Sequence, residues 1–335
     1  MLHSERGATY PGLPVLFEDA MKSLSSHKDT EIVVRDRSVR HRNEADDDEQ
    51  LIRLWLHGKS DSTQEAYERD LTQFLSFVDE ALNDADLSDV TLRDLQDWSD
   101  ELFDRGLAQA TIARKLSTVK SLFSFGQKIG YFVFNVGAAI KTPTVADDLA
   151  ERILDQEAVQ RLLEAVDKQR DRVLIRLFYA SGGRVSELNA LRWRSATPRK
   201  SSSGESTGQI MVRGKGDKNR SILLSPPTWN ALTRLREAER SSGFGGSEDP
   251  VFRSRKGGVL SRQQIWRIVK EAARAAGLSD AVSPHWLRHA HASHSLDEGA
   301  PVHLVKETLG HKSLATTSRY THAKPDDSSS NYLDV

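Results

Sequence analysis

Apolar residues recur at helical spacing through most of the chain, and the period changes to that of a strand in one region. Tyr67, Leu71, Phe74, Leu75 and Val78 make one stripe and Leu116, Val119, Leu122 and Phe123 another, the spacing of amphipathic helices. Asp61 and Ser62 stand before TQEAYERDLTQFLSFV as N-caps, and Gly106 and Gly130 are stops for the helices that follow. The segment from about 48 to 130 therefore reads as a small helical bundle. KTPTVADD is polar and contains Pro, which suits a linker, and LDQEAVQRLLEAV starts a new helix at Asp155. Further on, QIMVR and RSILL flank GKGDKN. Two β-branched runs around a Gly-rich polar turn predict a hairpin, the main β element of the chain. SATPRKSSSGESTG and SSGFGGSEDP predict flexible loops. SRQQIWRIVKEAARAAG, SPHWLRHAHASHSLDEG and PVHLVKETLG each open on Ser or Pro and end at Gly, so each predicts a helix.

At 335 residues the chain exceeds one ordinary domain. The pattern divides it into a loosely ordered acidic extension over 1–47, a helical domain over 48–142 and a second domain with its tail over 150–335. No apolar run approaches the ~20 residues of a membrane span, and MLHSERGATYPGLP has no secretory pattern. The expectation is a cytoplasmic protein. Absence of Cys excludes disulfides, thiolate zinc sites and a Cys nucleophile. A net charge of -1 conceals a division. Residues 1–100 hold 11 Lys+Arg against 23 Asp+Glu, leaving 36 against 25 of the chain's 47 and 48 for the rest. The basic part is suited to a polyanion.

Five segments, GGRVSEL, RGKGDKN, PHWLRHAHAS, LGHKS and SRYTH, supply the groups that phosphoryl transfer at a DNA backbone needs without a metal. Arg184 follows Gly182 and Gly183 where a helix begins, and its guanidinium can hold a phosphate oxygen. Glu187, one turn on, is placed to orient it or to be plain helix surface. His285 and Arg288 are i and i+3 near the positive end of a helix opened by Ser283 and Pro284, a place for a phosphate. Seven of the eleven histidines lie between 285 and 322, and His285 with His289 has zinc-ligand spacing. Yet PHWLRHAHASH lacks the Glu of a zincin and sets Arg288 where a cation would be repelled. His291 and His294 read as packing or surface residues, and His289 as support for the site or a core histidine.

In order and spacing these segments resemble the tyrosine recombinases, or phage integrases, and the Xer-type most. The resemblance covers about 150–322, while TQEAYERDLTQFLSF and ATIARKLSTVKSLFSF resemble the family's helical core-binding domain. It implies a mainly α fold with a small β-sheet (α+β) in the catalytic domain and a separate N-terminal helical core-binding bundle. It implies Tyr320 as nucleophile, with Tyr332 the nearest competitor, and Arg184, Arg288 and His311 on the scissile phosphate. His285 then assists proton transfer, and Lys215, with Lys218 as rival, protonates the departing 5′ oxygen. A phenol is a poor nucleophile unless cations favour its phenolate, which two arginines and a lysine would do. The expected product is a 3′-phosphotyrosyl bond, formed without cofactor, ATP or Mg²⁺.

The partner implied is double-stranded DNA, held by a homotetramer or a hetero-tetramer with a paralogue, with Arg114, Lys115, Lys120 and Lys128 as candidate phosphate contacts. Ser181-Gly182-Gly183 in place of the commoner Thr-Gly-x, a long Ser-rich loop and the acidic extension depart from the family pattern. A type IB topoisomerase-like enzyme, a noncatalytic DNA-binding regulator on this scaffold and a zinc hydrolase are the rival readings.

Overall fold

The computed structural model describes residues 45–82, 85–145, 149–200, 204–214, 219–311 and 313–320. The chain forms two compact units, 1–146 and 147–335. No helix among the described residues is long and apolar enough to cross a membrane.

The N-terminal unit is helical: α1 (Asp48–Leu56), α2 (Asp61–Leu82), α3 (Leu92–Asp104) and α4 (Gln109–Lys128). Both apolar stripes point inward, with Leu71, Phe74, Val78, Leu116, Val119 and Phe123 buried around Trp98. Phe74 meets Trp98 edge-on, ring centroids 4.9 Å apart. The unit starts earlier than the apolar period suggests, because Ala45 is buried and the Asp47 side chain caps α1 by accepting from the Gln50 N–H. At α2 the cap also falls earlier. The helix already includes Asp61, and the Ser60 carbonyl accepts from the Thr63 and Gln64 N–H groups. Gly106, at φ 72°, takes the left-handed turn beyond α3.

In the C-terminal unit α5 (Gln156–Glu164) begins as expected at Asp155, whose carboxylate accepts from the Ala158 N–H at 2.6 Å. Then come α6 (Gln169–Ser181), α7 (Val185–Asn189), β1 (Ala196–Lys200), β2 (Ser206–Arg213), β3 (Asn219–Leu224), α8 (Pro226–Ser241), α9 (Arg262–Ala275), α10 (Pro284–Asp297), α11 (Val302–Leu309) and α12 (Leu314–Ser318). The hairpin pairs β2 with β3, setting Ile210 opposite Ile222. One segment expected as loop is a strand. Ala196–Lys200 pairs antiparallel along β2, giving the order β1-β2-β3. Four of its five residues are exposed, so it shows no apolar alternation and is held by backbone pairing.

The sheet lies on α8, where Trp229 covers Gly208 so closely that a Cβ there would come within 2.1 Å of the ring. Buried α6, with Leu174, Ile175, Leu177 and Phe178 inward, packs on α5, α8, α10 and β3. That packing brings the end of α6, the start of α7 and the body of α10 together. The fold is mainly helical with a small antiparallel sheet.

Candidate active site

The site is built on the C-terminal end of α11. A helix leaves its last carbonyls without helical partners, and here arginines take three in succession. Arg220 Nε donates to the Thr308 carbonyl at 2.7 Å, Arg288 Nη2 to Leu309 at 2.8 Å and Arg184 Nη2 to Gly310 at 3.2 Å. The negative end of the helix dipole favours this gathering of cations. Gly310, left-handed at φ 65°, ends the helix, and His311 follows at once.

Arg288 is buried, and its Nη1 donates to the carbonyl of Gly182, the left-handed cap of α6 at φ 57°. It thus ties two helix ends together. Gly182 has no room for a side chain, since a Cβ would lie 2.5 Å from Leu309 Cδ2 and 2.7 Å from His291 Cδ2. Burial, then the nearby Arg184 charge, pull Arg288 down to about 10, which still leaves it cationic at neutral pH.

One carboxylate organises the other two arginines. Glu187, buried in the first turn of α7, accepts from Arg184 N at 2.8 Å, Arg184 Nη1 at 2.9 Å and Arg220 Nη1 and Nη2 at 2.7 and 2.8 Å. Burial alone would raise its pKa. The hydrogen bonds and charge of Arg220, with those of Arg184, outweigh burial and hold it at about 2. Glu187 is therefore interior wiring and not helix surface. Nothing local in the sequence marks Arg220 for the site beyond a charge on a β-branched run next to GKGDKN.

The cluster holds three guanidinium groups against one carboxylate, with three histidines beside it. His311 Nδ1 lies 2.9 Å from Thr317 Oγ1, and burial, Arg288 and Arg184 hold its pKa at about 4. His285 has an open edge, yet the protein around its ring and the charges of Arg288 and Arg184 lower its pKa as well. His289, expected only as support, has Nδ1 2.7 Å from the Tyr320 hydroxyl. His291 Nδ1 donates to the Tyr179 carbonyl at 2.8 Å and His294 Nδ1 is 2.9 Å from the Tyr179 hydroxyl, so both pack α10 on α6. No group of three or more metal-ligating side chains gathers among the described residues.

Tyr320 follows α12 and is only 6% exposed, against Leu149, Ala292, Val305 and Leu309. Its pKa differs from the expectation of a favoured phenolate. Burial raises it, and Arg288 and Arg319 oppose that without reversing it. The hydroxyl keeps its proton here. Lys215, Lys218 and Tyr332 lie outside the described residues, as do 1–44 of the extension.

In the N-terminal unit the four basic candidates separate. Lys115 is buried, with Nζ 2.7 Å from Gln73 Oε1 and 3.3 Å from Asp70 Oδ1, so the expectation of a phosphate contact there is corrected: the ammonium is spent inside the bundle. Arg114 pairs with the same Asp70, and Lys120 donates to the Ile140 carbonyl at 2.6 Å. Lys128 is exposed on the last turn of α4.

Residues 152–326 match the model of the phage integrase family, and 49–128 that of the phage integrase N-terminal SAM-like domain. The chain belongs to the phage integrase family. It is 34% identical over 264 residues to tyrosine recombinase XerC of Xanthomonas campestris pv. campestris (strain B100), covering 78% of either chain. Like these relatives it is a site-specific recombinase, a DNA strand-transferase of the tyrosine type. Two solved structures share the fold. XerH site-specific recombinase bound to palindromic difH substrate, in a post-cleavage complex, matches with TM-score 0.66 at 21% identity, over 92% of this chain and 91% of that one. A lambda integrase tetramer bound to a Holliday junction matches with TM-score 0.64 at 20% identity, over 84% and 77%.

Proposed function

We propose that Tyr320 attacks a DNA phosphodiester held by Arg184, Arg288 and His311, leaving a 3′-phosphotyrosyl bond and a free 5′ hydroxyl. The observation that carries this reading is the set of arginines on the successive carbonyls of Thr308, Leu309 and Gly310, with His311 next in the chain. Three like charges repel one another, and one carboxylate offsets only one of them. A phosphate oxygen would supply the missing anion, and the negative charge that builds in the transition state would be stabilised by donors already fixed in place. His285 stands beside this pocket as a further proton-handling group. Lys215, which lies in the sequence between β2 and β3, protonates the departing 5′ oxygen. The ester conserves the energy of the broken linkage, so a 5′ hydroxyl from another strand reverses the step and no ATP or metal ion is consumed.

The substrate is double-stranded DNA, and exchange between two duplexes calls for four protomers, as homotetramer or with a paralogue. What lambda integrase and XerH are bound to in their structures supports this assembly. Lys128 and the exposed part of Arg114 are the phosphate contacts of the N-terminal unit, and the cytoplasm is the expected site of action.

The test is a nicked suicide substrate incubated with the purified chain and with Tyr320→Phe. The unaltered protein should accumulate a covalent adduct that peptide mapping places on Tyr320, whereas Tyr320→Phe binds the duplex and forms none. An adduct with Tyr320→Phe, or mapping to another residue, would overturn the assignment. Relaxation of supercoiled DNA by a monomer without strand exchange would point instead to a topoisomerase-like reaction.

A further inference from the structure

We propose that His289 is the group that takes the phenol proton from Tyr320 during strand cleavage, an inference that rests on Tyr320 being the nucleophile. His289 Nδ1 stands 2.7 Å from Tyr320 Oη, within reach for direct transfer. Among the described residues Tyr320 Oη has no other hydrogen-bond partner, and His285, one turn earlier on α10, makes no hydrogen bond to it. The hydroxyl therefore has one acceptor in view.

The protonation states agree with this geometry. Tyr320 is buried and holds its proton, since burial raises its pKa against the charges of Arg288 and Arg319. A neutral phenol cannot attack without losing that proton. Burial and the charges of His285, Arg288, Arg152 and Arg319 hold His289 at about 4, so at neutral pH its ring is uncharged. In the tautomer that carries its ring proton on Nε2, the phenol O–H donates to Nδ1, and this is the tautomer the proposal uses. A phosphodiester arriving at Arg288 partly cancels the charges that depress His289, which makes the imidazole a better acceptor when substrate is bound.

The step balances. The Tyr320 Oη–P bond forms as the O–H bond passes its proton to His289 Nδ1. The P–O5′ bond breaks, and the departing oxygen is protonated by the general acid. On religation the imidazolium returns its proton to the phenol. His289 touches a reacting atom, so the assignment is catalytic; a residue that only locked the Tyr320 ring in place would give the same hydrogen bond but a different response to nucleophile acidity.

The experiment uses the full chain on a nicked suicide substrate and compares His289→Ala and His289→Asn with the unaltered protein. The Asn amide stands where the Cγ–Nδ1 edge was and keeps a hydrogen bond to the phenol, but it cannot accept a proton. Each protein is made with Tyr320 and with a multiply fluorinated tyrosine at position 320, whose more acidic phenol ionises without help. With Tyr320 both variants should form adduct about 10²-fold more slowly, the usual lower range for loss of a positioned base. With fluorotyrosine the ratio of unaltered to variant rate should shrink to within about tenfold for both variants. Duplex affinity should stay unchanged throughout.

Cleavage by His289→Asn at the unaltered rate would overturn the proposal, as would faster cleavage by either variant, the mark of a hydrogen bond that restrains the nucleophile. A deficit equal with both nucleophiles would also overturn it and leave a structural role. Adduct formed by Tyr320→Phe in the same assay would reject the nucleophile itself, a failure distinct from these.

Discussion

Replacing Glu187 by Gln removes one charge from the centre of the arginine cluster while keeping the side chain's shape. The carboxylate is buried and accepts two hydrogen bonds from Arg220 and two from Arg184. Its folded pKa is about 2 against an ordinary 4.5, a depression that corresponds to roughly 3 kcal/mol of stability at neutral pH. Loss of one partner of a buried ion pair costs about 3–5 kcal/mol, so the two routes agree. Because the folded pKa is the lower one, this stability is fully present above about pH 5 and is lost as pH falls from 4.5 toward 2. Near pH 3.5 roughly 2 kcal/mol should remain. The assay is a urea titration of Glu187→Gln and the unaltered chain, followed by hydrogen exchange in peptides of α6 and β3, so that only the C-terminal unit is read. The difference between the two proteins should be about 3 kcal/mol at pH 7 and should narrow by about a third at pH 3.5. Adduct formation by Glu187→Gln should also fall, since Arg184 and Arg220 lose their common anchor. Equal stability at pH 7, or a difference that stays constant as the pH falls, would refute the reasoning.

Gly182→Ala should destabilise the C-terminal unit by about 2–4 kcal/mol, read as a lower thermal midpoint, because φ is positive and the new Cβ meets Leu309 and His291. Asp70→Asn should destabilise the N-terminal unit by about 3 kcal/mol in a urea titration, since it leaves Lys115 buried without its counter-charge. Lys115→Met should leave the salt dependence of duplex binding unchanged, whereas Lys128→Ala should lower its slope by about one, as measured by fluorescence anisotropy. Adduct formation should continue in excess EDTA, because arginines occupy the role of electrophile. Finally, a substrate with sulfur at the bridging 5′ position should rescue Lys215→Ala and not Lys218→Ala in a cleavage assay; rescue of Lys218→Ala instead would identify the other lysine as general acid.

Local chemistry carried much of the fold into the sequence. The stripe Leu71, Phe74, Leu75 and Val78 is buried as its period requires, Asp155 caps α5, and the β-branched runs around the Gly-rich turn pair as β2 and β3. His285 and Arg288 were placed on one helix by Ser283, Pro284 and their own spacing. What could not be read depends on partners distant in the chain. β1 has no apolar alternation, and only the edge of β2 makes it a strand. Lys115 looks like any basic helix residue until Asp70, 45 positions earlier, draws it inward. The hydrogen bond of His289 spans 31 residues to Tyr320, and that of Arg184 spans 126 to Gly310. No period or cap signals such pairs. The expected phenolate of Tyr320 failed for a related reason: counting nearby cations says nothing of how far burial outweighs them.

The three arginines on the end of α11 also bear on when the pocket can form as the chain is made. Arg184, Arg220 and Arg288 come from three separate stretches, and the carbonyls they share belong to Thr308, Leu309 and Gly310. A chain still emerging from the ribosome has made the first two arginines long before those carbonyls exist. A fragment cut after α10 carries all three and has nowhere to seat them. Neither can assemble the pocket: the three guanidinium groups find their seats only after Thr308, Leu309 and Gly310 have been made and the helix they end has docked, so the cluster is a late product of folding however early its arginines are synthesised.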